Sequence, residues 1–113
     1  MKTAEMLKTV NPDTLDLSTH IRCGDRITWG QGTGEPLKLM ELLVAQRAAI
    51  GGVKVFLGTS FVDTFRPEHF DHIHLSSYGA LGTNAKFALT GEMDLLPCNY
   101  SAVPNLIASG QFP

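Results

Sequence analysis

Apolar side chains recur at helical spacing in the middle of the chain. Leu39, Met40, Leu43 and Val44 fall on neighbouring positions of a 3.6-residue repeat, and polar residues occupy the positions between them. This pattern predicts a helix over 36–49 that lays an apolar side against a core.

Strands are predicted on both sides of this helix. The run over 53–57 is apolar and rich in β-branched residues, which is typical of a buried strand, and a second strand is expected over 26–29. The glycines at 51–52 end the helix between them. Strand, helix and strand in this order form a βαβ unit, which predicts two parallel strands joined by a right-handed crossover.

The rest of the chain predicts shorter elements around this unit. These are a helix over 4–10, a turn at 11–13, a helical turn capped by Ser18 and Thr19, a turn at 23–25, a loop over 58–71, a strand over 73–78, a helix over 83–89, a strand over 93–96 and a helix over 102–108. The expected fold class is therefore α/β, with a mainly parallel sheet and flanking helices. Residues 1–20 would be a helical extension of a single domain over 1–113. Because a helix in such a fold normally returns to a strand, the C-terminus predicts a truncated fold.

Composition narrows the class of protein. The net charge is −2 and the basic residues are scattered, which argues against a nucleic-acid-binding surface. The first ten residues contain no apolar stretch of the kind found in a secretory leader, and no apolar run approaches membrane-spanning length. No membrane partner is therefore expected, and the expected compartment is the cytoplasm. Charged residues make up 18% of the chain, below the usual ~25%, which indicates that part of the surface is covered by another domain or subunit.

Cysteine and histidine positions do not predict a metal site. Cys23 and Cys98 lie far apart in the sequence and are expected to be buried, reduced thiols. His72 and His74 would share one face of the strand over 73–78, and His69 lies nearby. No acidic or cysteine residue completes a ligand set around them, so we interpret these histidines as structural and predict no metal.

A glycine-rich loop follows the strand over 26–29. Gly30, Gly32 and Gly34 alternate with other residues, and Pro36 then opens the helix. The free N–H groups of a helix start favour an anion. The spacing differs from both the dinucleotide fingerprint and the P-loop, so one alternative is a tight structural turn in which the Glu35 charge favours the helix dipole.

Two more polar residues follow the strand over 53–57. Thr59 and Ser60 are expected at the carboxyl end of the sheet, where open α/β folds bind ligands, although ordinary loop capping would also explain them. Trp29 and Phe56 lie on predicted core strands, and we interpret both as packing residues.

Three stretches of the chain, from about Arg22 to the end, resemble the acetyl-CoA hydrolase/transferase family, which includes the 4-hydroxybutyrate CoA-transferases. They are Gly24-Asp25-Arg26-Ile27 leading into Gly30-Gln31-Gly32-Thr33-Gly34-Glu35-Pro36, then His69-Phe70 leading to Ser77-Tyr78-Gly79, and finally Gly91-Glu92-Met93-Asp94-Leu95-Leu96-Pro97 followed by Ser101, Val103-Pro104 and Leu106. Their order and spacing carry the resemblance to the N-terminal part of that family. One departure is that Lys86 lies nearest to the place of a family arginine, and lysine lacks the guanidinium fork.

The resemblance implies a fold shared with CoA-transferases and sugar-phosphate isomerases, and a role in acyl-CoA:carboxylate CoA transfer or acyl-CoA hydrolysis. Family members use a glutamate that attacks the acyl-CoA and forms an anhydride and then a glutamyl-CoA thioester. That glutamate belongs to the C-terminal half, so the resemblance assigns no catalytic residue here and implies that this chain alone is inactive. The substrate- and CoA-binding residues that it implies, together with the position of the second strand, are Gly30, Gln31, Gly32, Thr33, Gly34, Glu35, Thr59 and Ser60.

The partners expected on this interpretation are acyl-CoA, with coenzyme A as co-substrate, a small carboxylate, and a C-terminal catalytic domain or partner subunit of an oligomeric enzyme. Two alternatives belong to other classes of protein. The first is a stand-alone α/β module that binds a phosphorylated metabolite or nucleotide. The second is a non-catalytic partner subunit.

Overall fold

Four short strands form one parallel sheet in the order in which they occur along the chain. The computed structural model describes residues 8–110. The strands are β1 (Arg26–Thr28), β2 (Val53–Leu57), β3 (Ile73–Ser77) and β4 (Met93–Leu95). All neighbouring pairs are parallel, in the order β1-β2-β3-β4. The predicted α/β class with a parallel sheet is confirmed, and β2 has the predicted bounds.

Within residues 8–110, three α-helices accompany the sheet. They are α1 (Leu37–Ile50) between β1 and β2, α2 (Ala85–Leu89) between β3 and β4, and α3 (Val103–Ser109) after β4. α1 begins one residue after the predicted start because Pro36 takes the N-cap position. It ends as predicted at Gly51, whose φ of 97° is the left-handed conformation that glycine adopts without strain.

The N-terminal region differs from its prediction. Residues 4–7 of the helix expected over 4–10 lie outside the described residues, and 8–10 carry no helical hydrogen bonding. Among the described residues, the first helical turn is Leu17–Thr19. Asp16 caps it by accepting a hydrogen bond from the Ser18 N–H, so the predicted caps Ser18 and Thr19 lie inside the turn. A carboxylate one residue before the turn reaches that N–H directly, which is the usual geometry of an N-cap.

One face of the sheet carries the apolar core. Val55 and Leu75, at the centre of the sheet, are fully buried beneath side chains of α1 and α2. In α1, Met40 and Leu43 face this core, whereas Leu39 is 47% exposed. Leu39 is exposed because it lies about 100° around the helix from Met40, away from the core. Its side chain borders an apolar groove.

The opposite face of the sheet is covered only in part. Lys54 and His74, near the amino ends of β2 and β3, are exposed, although parallel sheets are usually covered on both faces. Phe56 and Ser76, two residues further along the same strands, are buried. The Tyr78 ring lies 6.5 Å from the Phe56 ring at this point. The side chains that cover this face therefore lie towards the carboxyl ends of the strands.

Candidate functional site

The loops that follow β1, β2 and β3 are bonded to one another at the carboxyl edge of the sheet. The Gly32 N–H donates to the Thr59 carbonyl at 2.7 Å, and the Thr83 N–H donates to the Ser60 carbonyl at 2.8 Å. A parallel bridge also joins Ser60 to Gly82. The parallel pairing of the sheet therefore continues beyond the strands and brings the glycine-rich loop beside Thr59 and Ser60.

The glycine-rich loop folds into a compact turn over Gly32–Gly34. The Gly34 N–H donates to the Gln31 carbonyl and the Glu35 N–H donates to the Gly32 carbonyl. These amides, like that of Gly32, are occupied by carbonyl groups of the protein. Gly30 is needed for close approach, since a Cβ there would lie 3.1 Å from the Gly34 carbonyl oxygen. The turn thus fixes the loop through the backbone amides of Gly32, Gly34 and Glu35.

Glu35 ties this loop to the core. Its carboxylate is buried and accepts hydrogen bonds from the Ser60 hydroxyl at 2.6 Å and from the Trp29 indole N–H at 3.1 Å. The Trp29 ring stacks on Phe65 at a centroid distance of 6.2 Å, so it packs as predicted. Because Glu35 and Ser60 are 8% and 1% exposed, they position the two loops rather than offer free groups to a ligand.

Gln31 connects the same two loops and reaches a third. Its side-chain oxygen accepts hydrogen bonds from the Thr59 N–H at 3.1 Å and from the Tyr78 hydroxyl at 2.6 Å. Gly58 lies directly behind this amide, and a Cβ at that position would overlap the Gln31 side-chain oxygen. The need for glycine at 58 is therefore steric.

A small cavity opens beside Gln31. Its volume is about 50 Å³, and Phe56, Tyr78 and Tyr100 supply aromatic walls. Tyr78 and Tyr100 meet edge to face at 5.8 Å. Neither tyrosine is among the predicted site residues. Tyr78 is the last residue of the strand predicted over 73–78, whereas in the structure it directly follows β3 (Ile73–Ser77) and so lies at the carboxyl edge. Of the other predicted residues, Gly30, Thr33 and Gly34 are exposed at the same edge.

The amino edge of the sheet carries a different set of residues. A groove of about 460 Å³ is lined there by Cys23, Asp71, His72, His74 and Glu92, among others. Hydrogen bonds from Arg47 hold the pKa of the Asp71 carboxyl at about 2, below its usual 3.8. This groove lies at the end of the strands opposite to that where parallel α/β folds bind ligands.

The histidines contact separate partners. His72 Nδ1 lies 3.1 Å from Asp71, His74 Nε2 lies 2.9 Å from Asp94, and His69 Nδ1 accepts the Arg66 N–H. Burial and the nearby Arg47 lower the pKa of His69, which favours the neutral ring that this hydrogen bond requires. Within residues 8–110, no group of three or more His, Cys, Asp or Glu side chains is placed to hold a metal ion.

Two predictions about His72 and the cysteines are wrong. His72 lies before β3, at the end of the helical turn Pro67–Asp71, so it does not share a strand face with His74. Cys23 is exposed and Cys98 is half-buried, and both thiols are free. Each cysteine lies in a turn or loop outside the apolar core, so neither is fully buried.

Lys86, the residue nearest to the family's arginine, is exposed on α2. Its ammonium group lies 2.7 Å from the carboxylate of Asp63. Hydrogen bonding from this ammonium group lowers the pKa of Asp63. Lys86 is therefore engaged in a surface ion pair.

Comparison of the chain with protein-family models, curated proteins and solved structures finds no match. Across residues 8–110, every helix is too short or too polar to cross a membrane.

Proposed function

We propose that this chain is the N-terminal portion of an acyl-CoA:carboxylate CoA-transferase or acyl-CoA hydrolase. In this proposal the carboxyl-edge loops form part of the acyl-CoA and carboxylate pocket. The observation that carries it is the direct bonding of the glycine-rich loop to the loop after β2, through Gln31 to Thr59 and through Glu35 to Ser60. That bonding brings together the residues that the family resemblance implies, at the edge where α/β sheets bind ligands.

The finer fold assignment is part of the same proposal. A CoA-transferase or sugar-phosphate-isomerase fold is supported by the parallel sheet and by the order of the three matching stretches. Both glycine-bearing loops follow strands at one edge, since the loop after β3 joins Ser60 through Gly82.

The nucleophilic glutamate comes from a C-terminal domain or partner subunit in this proposal. Glu35 is unsuited to the role, because its carboxylate is buried and both of its oxygens accept hydrogen bonds. Glu41 and Glu68 lie with Asp63 around a separate polar depression, and Glu92 lines the amino-edge groove. This chain would then supply binding and orientation, while the partner's carboxylate forms the anhydride and the glutamyl-CoA thioester.

Binding of acetyl-CoA tests this proposal. Titration followed by backbone amide NMR is expected to show saturable shifts at Gly30, Thr33 and Thr59. Thr33→Glu places a negative charge on the exposed loop and should weaken binding at least about tenfold at low salt, because CoA carries several phosphate charges. Ala48→Glu adds the same charge to the exposed side of α1 and should leave binding unchanged.

The outcomes separate the classes of function. Saturable binding of a simple nucleotide without binding of CoA or acetyl-CoA would overturn the proposal in favour of the stand-alone module. The purified chain should not exchange CoA between acetyl-CoA and a carboxylate, and measurable exchange would contradict an external nucleophile.

The alternative of a non-catalytic partner subunit has one observation in its favour. Tyr100, Pro104 and Ile107 border an apolar depression of about 470 Å³ on the surface of α3. Apolar surface of this kind is common where another chain or domain packs. A stable hetero-complex that forms through α3, and that does not bind acetyl-CoA, would favour this alternative.

A further inference from the structure

An apolar groove, which we call the β1 groove, lies at the edge of the sheet. Its volume is about 190 Å³, and residues of β1, of α1 and of the helical turn Leu17–Thr19 line it. Thr28 is the one polar residue in the lining, and no lining residue is charged. Ile27 and Trp29 are half-buried and Leu39 is 47% exposed, because in the part of the chain that the structure describes β1 pairs only with β2. Apolar surface of this kind is stabilised when another apolar group covers it.

The chain is anchored to α1 next to this groove. The Gln46 side chain accepts a hydrogen bond from the Leu17 N–H at 2.7 Å and donates one to the Leu15 carbonyl at 2.8 Å. Upstream, the Thr14 N–H donates to the Asn11 carbonyl at 3.1 Å and closes a turn. A turn of this kind reverses the direction of the chain, so the residues before Asn11 are expected to return alongside Leu15 and Leu17.

This reversal puts Leu7 within reach of the groove. Leu7 precedes Asn11 by four residues, and Leu17 follows Thr14 by three. At ~3.3 Å per extended residue, the two arms of the turn have nearly equal lengths. Leu7 is therefore expected to come level with Leu17, whose side chain lines the groove.

Residues 1–7 have a composition that suits an uncharged groove. They divide into apolar residues and polar or charged ones, namely Met1, Ala4, Met6 and Leu7 against Lys2, Thr3 and Glu5. An apolar groove favours the first set and leaves the charged side chains in water. Methionine is unbranched and flexible, so it fills irregular apolar gaps well.

We propose that residues 1–7 of the same chain occupy the β1 groove. The side chains of Met6 and Leu7 enter it and pack against Trp29 and Leu39. Because the segment is tethered at Asn11 and Leu17, its effective concentration at the groove is on the order of millimolar. The segment therefore covers the groove in preference to a free partner at micromolar concentration.

Occupancy of the groove also supports the carboxyl edge of the sheet. Trp29 lines the groove, and its indole N–H donates to the buried carboxylate of Glu35, which in turn accepts from Ser60. A side chain packed on the indole restricts its motion and keeps this hydrogen bond in place. Residues 1–7 thus stabilise the connection between the glycine-rich loop and the loop after β2.

Trp29 reports on the groove directly because it is the only tryptophan of the chain. Its indole N–H gives a single NMR resonance, and its fluorescence can be quenched by acrylamide. Leu7→Asp should shift that resonance and raise the quenching constant about twofold, since a carboxylate does not enter an apolar groove. Thr9→Asp adds the same charge at an exposed position close by and should change neither signal.

A variant on the groove wall tests the contact from the other side. Leu39→Asp should raise the quenching constant as Leu7→Asp does, and the double variant should add nothing further, because both changes break the same contact. Leu89→Asp, at an 88% exposed position on α2, controls for a new surface charge. If Leu39→Asp does not fold, Leu39→Ala replaces it in the same comparison.

The outcomes identify what covers the groove. Nuclear Overhauser contacts between the Leu7 methyl groups and the Trp29 ring that survive tenfold dilution, and that are lost in Leu39→Asp, support the proposal. Absence of these contacts together with an unchanged quenching constant in Leu7→Asp overturns it. Contacts that join an isotope-labelled copy to an unlabelled one also overturn it, and would assign the groove to a second copy of the chain.

Discussion

The two edges of the sheet are built on different physical principles. At the carboxyl edge, Glu35 and Ser60 are buried and hydrogen-bonded to each other, and Gly58 and Gly82 leave no room for a side chain. At the amino edge, charged groups such as Asp71 meet their partners in an open groove. Buried bonds and close contacts couple neighbouring loops, whereas exposed ion pairs act separately and are weakened by solvent. Substitutions should therefore disturb the carboxyl edge far more than the amino edge.

The strongest test of this comparison is Gly82→Ala. A Cβ at Gly82 would overlap the Ser60 carbonyl oxygen, and the φ of +67° adds left-handed strain. We expect a loss of about 3 kcal/mol or more in the free energy of unfolding, measured by urea denaturation. Gly91→Ala is the matched control, because Gly91 has a φ of +78° with no atom within 4 Å of the added Cβ, so it should lose only about 1–2 kcal/mol. Equal losses in the two variants would contradict close contact at Ser60.

A smaller effect is expected from Ser60→Ala. This change removes the hydroxyl that donates to the buried Glu35 carboxylate and leaves one carboxylate oxygen without its donor. The free energy of unfolding should fall by about 1–3 kcal/mol. Thr33→Ala, on the exposed side of the same loop, should change it by less than ~0.5 kcal/mol. A neutral Ser60→Ala variant would show that the two loops are not coupled through this bond.

The smallest effect is expected at the amino edge, from Asp71→Asn. The native pKa of Asp71 is about 2, below its usual 3.8, so its carboxylate contributes stability above about pH 4 and loses that contribution as pH falls towards 2. Unfolding curves measured from pH 5 to 2 should show a shallower decline for Asp71→Asn than for the original chain. Asp13→Asn removes the same charge from an exposed turn and controls for net charge. Identical slopes for Asp71→Asn and the original chain would contradict the Arg47 pairing.

Local patterns predicted the elements of the fold well. The strand over 53–57 was predictable because its β-branched residues favour extended backbone. The end of α1 at Gly51 was predictable because glycine adopts the left-handed backbone of a helix C-terminus. Both signals lie within a few residues of sequence. The position of His72 was missed because this residue ends the helical turn Pro67–Asp71, which lies within the predicted loop over 58–71 and is too short for apolar spacing to reveal.

The position of the carboxyl-edge loops was predictable, but the contacts between them were not. Thr59 was expected at the carboxyl edge from strand order alone, and it lies there. The role of Glu35 was not predictable, because its partner Ser60 lies 25 residues away and no local pattern connects them. Tyr78 was missed for the same reason, since its hydroxyl acquires significance only through Gln31 on another loop.

The continuation of parallel pairing from β2 into Thr59 and Ser60 has a consequence for molecular recognition. Binding loops usually lose conformational freedom when they close on a ligand, and that loss weakens affinity. Here the sheet has already ordered the loops on both sides of Ser60 during folding. A ligand arriving at this edge meets a surface that is preorganised, so its affinity depends on the contacts it makes and little on the entropy of ordering the protein.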